Sequence, residues 1–288
     1  MATYPSVGLA LSTIGRPGLK ELLESAAESS RLPAAVAVAD HTPHQDLRID
    51  DKYPFPVLIT SSVGGVARGR NDAVAALSPW CEVIGFPNDD CRLPPTTIEQ
   101  VGRAFAGHHE ATVVAGTLVD ATGPRMRLPR SGTILNRRSV WRAIEPAMWV
   151  RRDAYLAAGG LRDDLGTGSD SPWQSGDGTD LLLRIMASGG TVCSRPEIIV
   201  LGRGERRDLA PSAFVAKHRA YARGTGYVYR LHSYPLHDRV RLVVAPLVKV
   251  ALHDASFALS ARIAAARATG RVEGLLGRPL TTKHLTWL

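Results

Sequence analysis

The 288-residue chain is poor in cysteine, with only Cys81, Cys91 and Cys193. Three thiols cannot build a disulfide framework, and no two of them stand in a CxxC spacing, so neither a stapled secreted scaffold nor a zinc knuckle is expected. They read as buried small hydrophobes in reducing surroundings. Long apolar runs are also missing. The best stretch, Leu242–Leu252, is interrupted by Pro246 and Lys249 and falls short of the roughly 18 apolar residues a membrane span needs. The opening MATYPSVGLALSTIGRP lacks a basic start followed by an apolar core, so no signal peptide is expected and the expected location is cytosolic, free or on the inner face of a membrane. No segment repeats. Gly64–Asn71, GGVARGRN, has neither the GxGxxG nor the Walker spacing, which excludes a dinucleotide fingerprint and a P-loop. His108-His109-Glu110 is not HExxH, and Ser12, Ser61 and Ser62 sit in no nucleophile elbow, so zinc-protease and serine-hydrolase chemistry lack support. No helix-turn-helix, RRM or KH signature is present, and nucleic acid is not an expected partner.

What is present suits a folded globular protein: 44% hydrophobic and 22% charged residues, enough for one large domain or two small ones. The formal charge is +8, but it is unevenly placed. Residues 1–200 carry 20 basic and 22 acidic side chains, and residues 201–288 carry 15 and 5. Such asymmetry points to an anionic partner or to a solvated basic face.

Short apolar runs alternate with helical segments through the first two-thirds. Strands are expected at Ser6–Leu11, Ala34–Ala39, Phe55–Thr60, Glu82–Phe86 and Thr112–Val119, with helices at Leu19–Ser30, Ala67–Leu77 and Thr97–Ala106. Pro94-Pro95 suits the opening of the last of these. This rhythm predicts an α/β domain with a largely parallel sheet. Gly123–Arg138, rich in Arg, Pro and Gly, reads as a mobile loop. Glu145–Arg151 is a candidate strand and Asp153–Ala158 a short helix. Gly166–Gly178 reads as loop, Asp180–Ser188 as a helix stopped by Gly189-Gly190, and Thr191–Leu201 as a strand. From Pro211 onward only helices are expected, Val240–Leu252 and Ala255–Leu276 being amphipathic with Arg and Lys among the apolar residues.

In open parallel sheets, ligands bind beyond the carboxyl ends of the strands. Asp40 and Asn88-Asp89-Asp90 each follow an expected strand, so they are expected at one edge. Adjacent carboxylates there suit a divalent cation, since magnesium or manganese takes one or two carboxylates plus substrate phosphates; Pro-Asn-Asp-Asp is equally good turn chemistry. Arg70 and the neighbouring glycines suit phosphate or nucleobase contacts, or an ordinary surface turn. A second acidic group, Ser175-Gly176-Asp177-Gly178-Thr179-Asp180, brings a carboxylate to a helix start, either as a general base or as plain capping.

Several segments together resemble the family-2 glycosyltransferases, inverting enzymes with the GT-A fold. They are LALSTIGRP, VAVADHT, GGVARGRNDAVAAL, VIGFPNDDCRLPP and the long stretch WVRRDAYLAAGGLRDDLGTGSDSPWQSGDGTDLLLRIMASGG, with a further match near Arg219–Arg230. The resemblance implies a catalytic domain over 1–205, with a nucleotide-sugar half at 1–120 and an acceptor half at 121–205, followed by a basic helical extension over 206–288. It implies that Thr13, Arg16, Asp40, Arg70, Asn88 and Asp89 bind the nucleotide-sugar, that Asp90 with Asp89 holds Mn2+ or Mg2+, and that Asp177, or else Asp180, is the base. Trp149 and Trp173 would face the acceptor, unless they pack in the core. Two positions depart from the family pattern: Asn88 where many members have Asp, and Gly178 where the base often stands. The implied reaction transfers a sugar from a nucleotide-diphosphate donor to a hydroxyl of a glycan or lipid-linked acceptor, in polysaccharide or cell-envelope synthesis. The basic helices would rest on anionic lipid or pair in a homodimer. A catalytically impaired binding relative is an alternative, as is a sugar nucleotidyltransferase, although STIGRP lacks that group's Gly-rich opening.

Overall fold

A computed structural model describes residues 4–49, 52–204, 209–251 and 257–280. The ends of two expected helices, at Leu252 and at Ala255-Ser256, lie outside them. The chain forms two compact units, one of residues 1–63, 68–161 and 181–204, the other of 64–67, 162–180 and 205–288.

Among the described residues, the first unit holds every strand. Its elements are β1 (Val7–Thr13), α1 (Gly18–Ala27), β2 (Ala35–Asp40), β3 (Val57–Ser61), α2 (Val66–Ala76), β4 (Val83–Gly85), α3 (Thr97–Gly107), β5 (Val113–Asp120), β6 (Gly123–Pro124), β7 (Met148–Arg151), α4 (Arg152–Ala157), α5 (Asp177–Ala187) and β8 (Val192–Leu201). α2 has its first two residues, and α5 its first four, in the second unit. The expected strands and helices are present with ends shifted by a few residues.

The sheet order is β3-β2-β1-β4-β7-β5-β6, with β8 beside β5. β1 pairs in parallel with both β2 and β4, whereas β7 runs antiparallel between β4 and β5. The continuous apolar run of β2, buried at every residue, marks a strand covered on both faces. α1 covers the sheet with Leu19, Leu22, Leu23 and Ala26, the spacing of one helical face. The expected loop 123–138 is tied to the sheet instead. Leu135 N donates to Val192 O at 2.8 Å and Ser194 N to Thr133 O at 2.9 Å, so residues 132–135 run along β8. Burial pushes the Cys91 thiol up to about 12, and all three cysteines are buried and unpaired.

Gly85 shows how tightly this core is packed. It lies opposite Trp149 in the β4–β7 register, and a Cβ there would strike the indole ring. Gly85→Ala is expected to destabilise the protein by about 1–3 kcal/mol through overpacking. A lower urea midpoint at unchanged m-value would be the reading.

The second unit is built on α6 (Pro211–Leu231), α7 (Leu236–Ala251) and α8 (Phe257–Leu276). α6 and α8 approach at backbone distance: a Cβ at Gly226 would strike the carbonyl of Arg271, and one at Gly274 that of Arg223. The segment 162–180 lies along α6. Trp173 stacks on Tyr227 at 4.4 Å, Ser175 Oγ donates to Tyr221 O at 2.6 Å, and Gly224 leaves room for the Ser175 carbonyl. Gly65 likewise backs against the Gly168–Ser169 backbone, so its lack of a side chain serves packing. No described helix is long and apolar enough to cross a membrane.

Candidate active site

The chain leaves β1 for β2 and β3 on one side, then returns to β4 on the other. The carboxyl ends of β1 and β4 therefore flank the switch point of the sheet, where open α/β folds hold their ligands. Thr13 ends β1, and Asn88-Asp89-Asp90 follow β4.

These two loops are joined. Thr13 Oγ1 donates to Asp89 Oδ2 at 2.7 Å and itself accepts from Gly15 N at 3.0 Å. Arg16 reaches Asp89 Oδ1 at 3.6 Å with its side chain still 45% exposed, which leaves the guanidinium able to meet an anion. At Gly18, the first residue of α1, a Cβ would crowd the Asp89 carbonyl, so the amino end of α1 comes close to the acidic loop. The partial positive charge of that helix end and Arg16 form an anion-receptive corner. Burial pushes the Asp89 carboxyl up, and neighbouring Asp90 adds to this, while the Thr13 hydroxyl and Arg16 pull it back only in part.

The residues at 88–90 fit a hard cation in one specific way. Asp89 is already engaged by Thr13 and Arg16. Asp90 is half-buried and takes no hydrogen bond or ion pair from any described residue, so its carboxylate is available as a ligand. Among the described residues no group of three or more His, Cys, Asp or Glu converges. A cation here would therefore take few protein ligands and complete its shell with substrate phosphate and water, the usual magnesium arrangement.

Two of the residues expected to contact the donor are buried. Arg70 is only 2% exposed and is committed within the protein. It pairs with Glu145 Oε2 at 2.7 Å and donates to Asn88 Oδ1 at 2.8 Å and to Phe86 O at 3.3 Å. It holds Asn88, the first residue of the acidic loop. Asn88 is thereby placed as a neutral partner of a buried guanidinium. Asp40 is buried as well, and its two oxygens accept from Thr42 N at 2.7 Å and Leu47 N at 2.9 Å. Burial works against its charge, but these amides outweigh burial and hold the carboxyl below its ordinary value. Asp40 thus ties down the loop after β2, beside Thr13 in register.

The two tryptophans expected at the acceptor or in the core are both packed against the protein. Trp149 is fully buried on β7, and Trp173, 7% exposed, already stacks on Tyr227. Both take the packing alternative.

The second acidic group lies in the helical unit. α5 begins at Asp177, three residues before the expected start, so Asp177 and Asp180 share its first turn. Gly178 is tolerated inside that turn, and Asp180 N closes it on Gly176 O at 2.8 Å. A Cβ at Gly166, whose φ is +95°, would press on the Asp177 carboxylate, so loop 162–176 folds closely over this acid. Asp180 is 1% exposed and accepts from His232 Nε2 at 2.8 Å. His232 was not apparent from the sequence. It stands alone at the end of α6, 52 residues from its partner, and no local motif marks it.

No protein-family model and no curated protein matches the sequence. Solved structures do match. TarS residues 1–349 of S. aureus, in complex with UDP-GlcNAc, is 14% identical with a TM-score of 0.58, over 97% of this chain and 93% of that one. The mannosyltransferase PcManGT from Pyrobaculum calidifontis, in complex with GDP-Man and Mn2+, is 14% identical with a TM-score of 0.61, over 96% and 88%. The chain has the mixed α/β, mostly parallel GT-A fold of these glycosyltransferases, as its sequence motifs led one to expect.

Proposed function

We propose that the protein is an inverting glycosyltransferase that moves a sugar from a nucleotide-diphosphate donor to a hydroxyl of a glycan or lipid-linked acceptor. The observation that carries this reading is the joined Thr13–Arg16 and Asn88–Asp90 loops at the β1/β4 switch point, beside the amino end of α1. The two neighbours named above support it, one bound to UDP-GlcNAc and the other to GDP-Man and Mn2+. In this reading residues 1–205 are catalytic, with donor recognition concentrated in 1–120 and acceptor recognition in 121–205, and 206–288 form the basic extension.

The residues divide the work as follows. Arg16, with the positive amino end of α1 behind it, binds the diphosphate and stabilises the charge it gains on leaving. Thr13 and buried Asp89 fix the loop that carries Asp90. Asp90, with Asp89 behind it, would hold Mn2+ or Mg2+, which when bound supplies charge neutralisation to the leaving diphosphate. Asp177 takes the proton of the acceptor hydroxyl, and that oxygen attacks the anomeric carbon from the side opposite the nucleotide, inverting its configuration.

Thermal unfolding against UDP, GDP, dTDP, CMP and ADP, each with Mn2+ and with EDTA, tests the reading. One nucleotide is expected to raise the midpoint in the presence of Mn2+; at a hundredfold excess over Kd the stabilisation would be about 2.7 kcal/mol. No shift with any nucleotide would sink the proposal. A shift without turnover of any sugar donor would favour the catalytically impaired relative.

The helical unit supports attachment to anionic lipid on the inner face of a membrane. Leu236, Val240, Val244, Leu247 and Val248 are all exposed and fall along one side of α7, with exposed Arg241 at their edge. An apolar stripe with basic neighbours suits an in-plane interfacial helix. Cosedimentation with phosphatidylglycerol vesicles at low salt is expected, with loss at high salt, on neutral vesicles and in Val244→Asp. A chain that ignores these vesicles and is dimeric in solution would assign the stripe to a homodimer instead.

A further inference from the structure

We infer that His232 is a positioning residue for the acidic first turn of α5, acting through Asp180 on Asp177. The inference rests on the proposed transferase reading, which it deepens by adding a residue from the far end of the helical unit.

The turn needs such a tie. Asp177 lies between Gly176 and Gly178, and Gly176 has φ +94°. Glycine pays the largest backbone entropy on ordering and is a poor helix former, so this pair makes the start of α5 intrinsically loose. A reacting carboxylate must instead be held to a fraction of an ångström. α6 supplies the moorings. Ser175 Oγ donates to Tyr221 O, Gly176 packs against Val228 and Gly224, and His232 Nε2 donates to Asp180 Oδ1 at 2.8 Å. The first two hold the chain before Asp177. His232 holds it after Asp177, one helical turn on. Its bond is also sheltered, with side chains 15% and 2% exposed, so water competes poorly for it. Arg162, paired with Asp164 at 2.8 Å, adds a cation within Coulomb range of Asp180. Asp180 is thus tied into the structure one turn on from Asp177.

The test is steady-state release of UDP from UDP-GlcNAc and of GDP from GDP-mannose, with Mn2+, by the full chain and its His232→Ala, His232→Gln, Asp180→Asn and doubly substituted Asp180→Asn/His232→Ala forms. Glutamine can place an amide N–H where Nε2 stands. His232→Ala is expected to lower kcat about 10- to 100-fold, the range for losing a group that orients a functional ligand. KM for the donor and the nucleotide-induced thermal shift should stay unchanged, His232→Gln should recover most of kcat, and the double variant should be no slower than Asp180→Asn alone. A His232→Ala enzyme with wild-type kcat overturns the inference while leaving the transferase reading intact. So does one that loses kcat, KM and thermal shift together without recovery in His232→Gln, since that is general unfolding of the unit. A wild-type chain that shows no thermal shift with any of the five nucleotides and releases none from the corresponding sugar donors removes the transferase reading and this inference with it.

Discussion

Glu273→Ala is expected to destabilise the helical unit by about 3–5 kcal/mol, the cost of leaving buried charge without its partner. Glu273 has no exposed surface, and neither does Arg223, whose Nε donates to Glu273 Oε2 at 2.7 Å. Arg219 adds a bond to Oε2 at 3.1 Å and a second to Oε1, and Leu280 N donates to Oε1 at 2.9 Å. One carboxylate therefore joins α6, α8 and the segment after α8. Truncating it strands two guanidinium groups between helices whose backbones already touch at Gly226, Gly270 and Gly274. Urea unfolding followed by circular dichroism would show the loss, and a midpoint within error of wild type would refute it. Glu273→Gln keeps the shape but not the charge, and should fall between the two.

The same network sets a pH dependence. Burial alone would raise the Glu273 carboxyl, but the hydrogen bonds from Arg219 and Arg223 overcome this and hold it below its ordinary value. Its folded value is thus lower than its unfolded one. The stability that it contributes is complete above the unfolded carboxylate value of about 4.3 and is lost as pH falls through the folded value. Wild type should therefore lose part of its stability in that acid window, and Glu273→Gln should lose less there.

How legible these features were depends on whether the cause was local. The buried strands β1 and β2 announce themselves as apolar runs, and α1 as a one-sided repeat of leucines. Asp89 and Asp90 stand at a strand end, where chain order alone brings them to Thr13. β7 was visible as a strand, but its insertion between β4 and β5 comes from tertiary pairing that no window of sequence contains. For Arg70 the position near a strand end suggests a phosphate or an ordinary turn, and for Trp149 the sequence leaves both an acceptor contact and core packing open. What encloses them is distant: Glu145 pairs with the guanidinium, and Gly85, 64 positions before Trp149, makes room for the indole. The sequence predicts α5 from Asp180; it begins at Asp177 although Gly178 is a poor helix former, with the segment before it bonded to α6. His232 illustrates the same limit, since a lone histidine after a helix carries no pattern.

Asp177→Asn is expected to lower kcat about 10²- to 10⁴-fold, the usual contribution of a positioned general base. The substitution keeps the size of the side chain and its ability to sit in the first turn of α5, so folding and nucleotide binding should persist. Two carboxylates compete for the role, and their surroundings separate them. Asp180 is 1% exposed and bonded to His232, so protonating it would cost that bond in a site with almost no water to replace it. Asp177 is 7% exposed, sits against the left-handed Gly166 and is the carboxylate that the folded loop 162–176 surrounds. Nucleoside diphosphate release should therefore fall further in Asp177→Asn than in Asp180→Asn at equal thermal stability, with the Mn2+-dependent nucleotide shift retained in both. The reverse order, with Asp180→Asn the more damaged and Asp177→Asn near wild type, would transfer the base to the Asp180–His232 pair and make Asp177 the residue that shapes the turn.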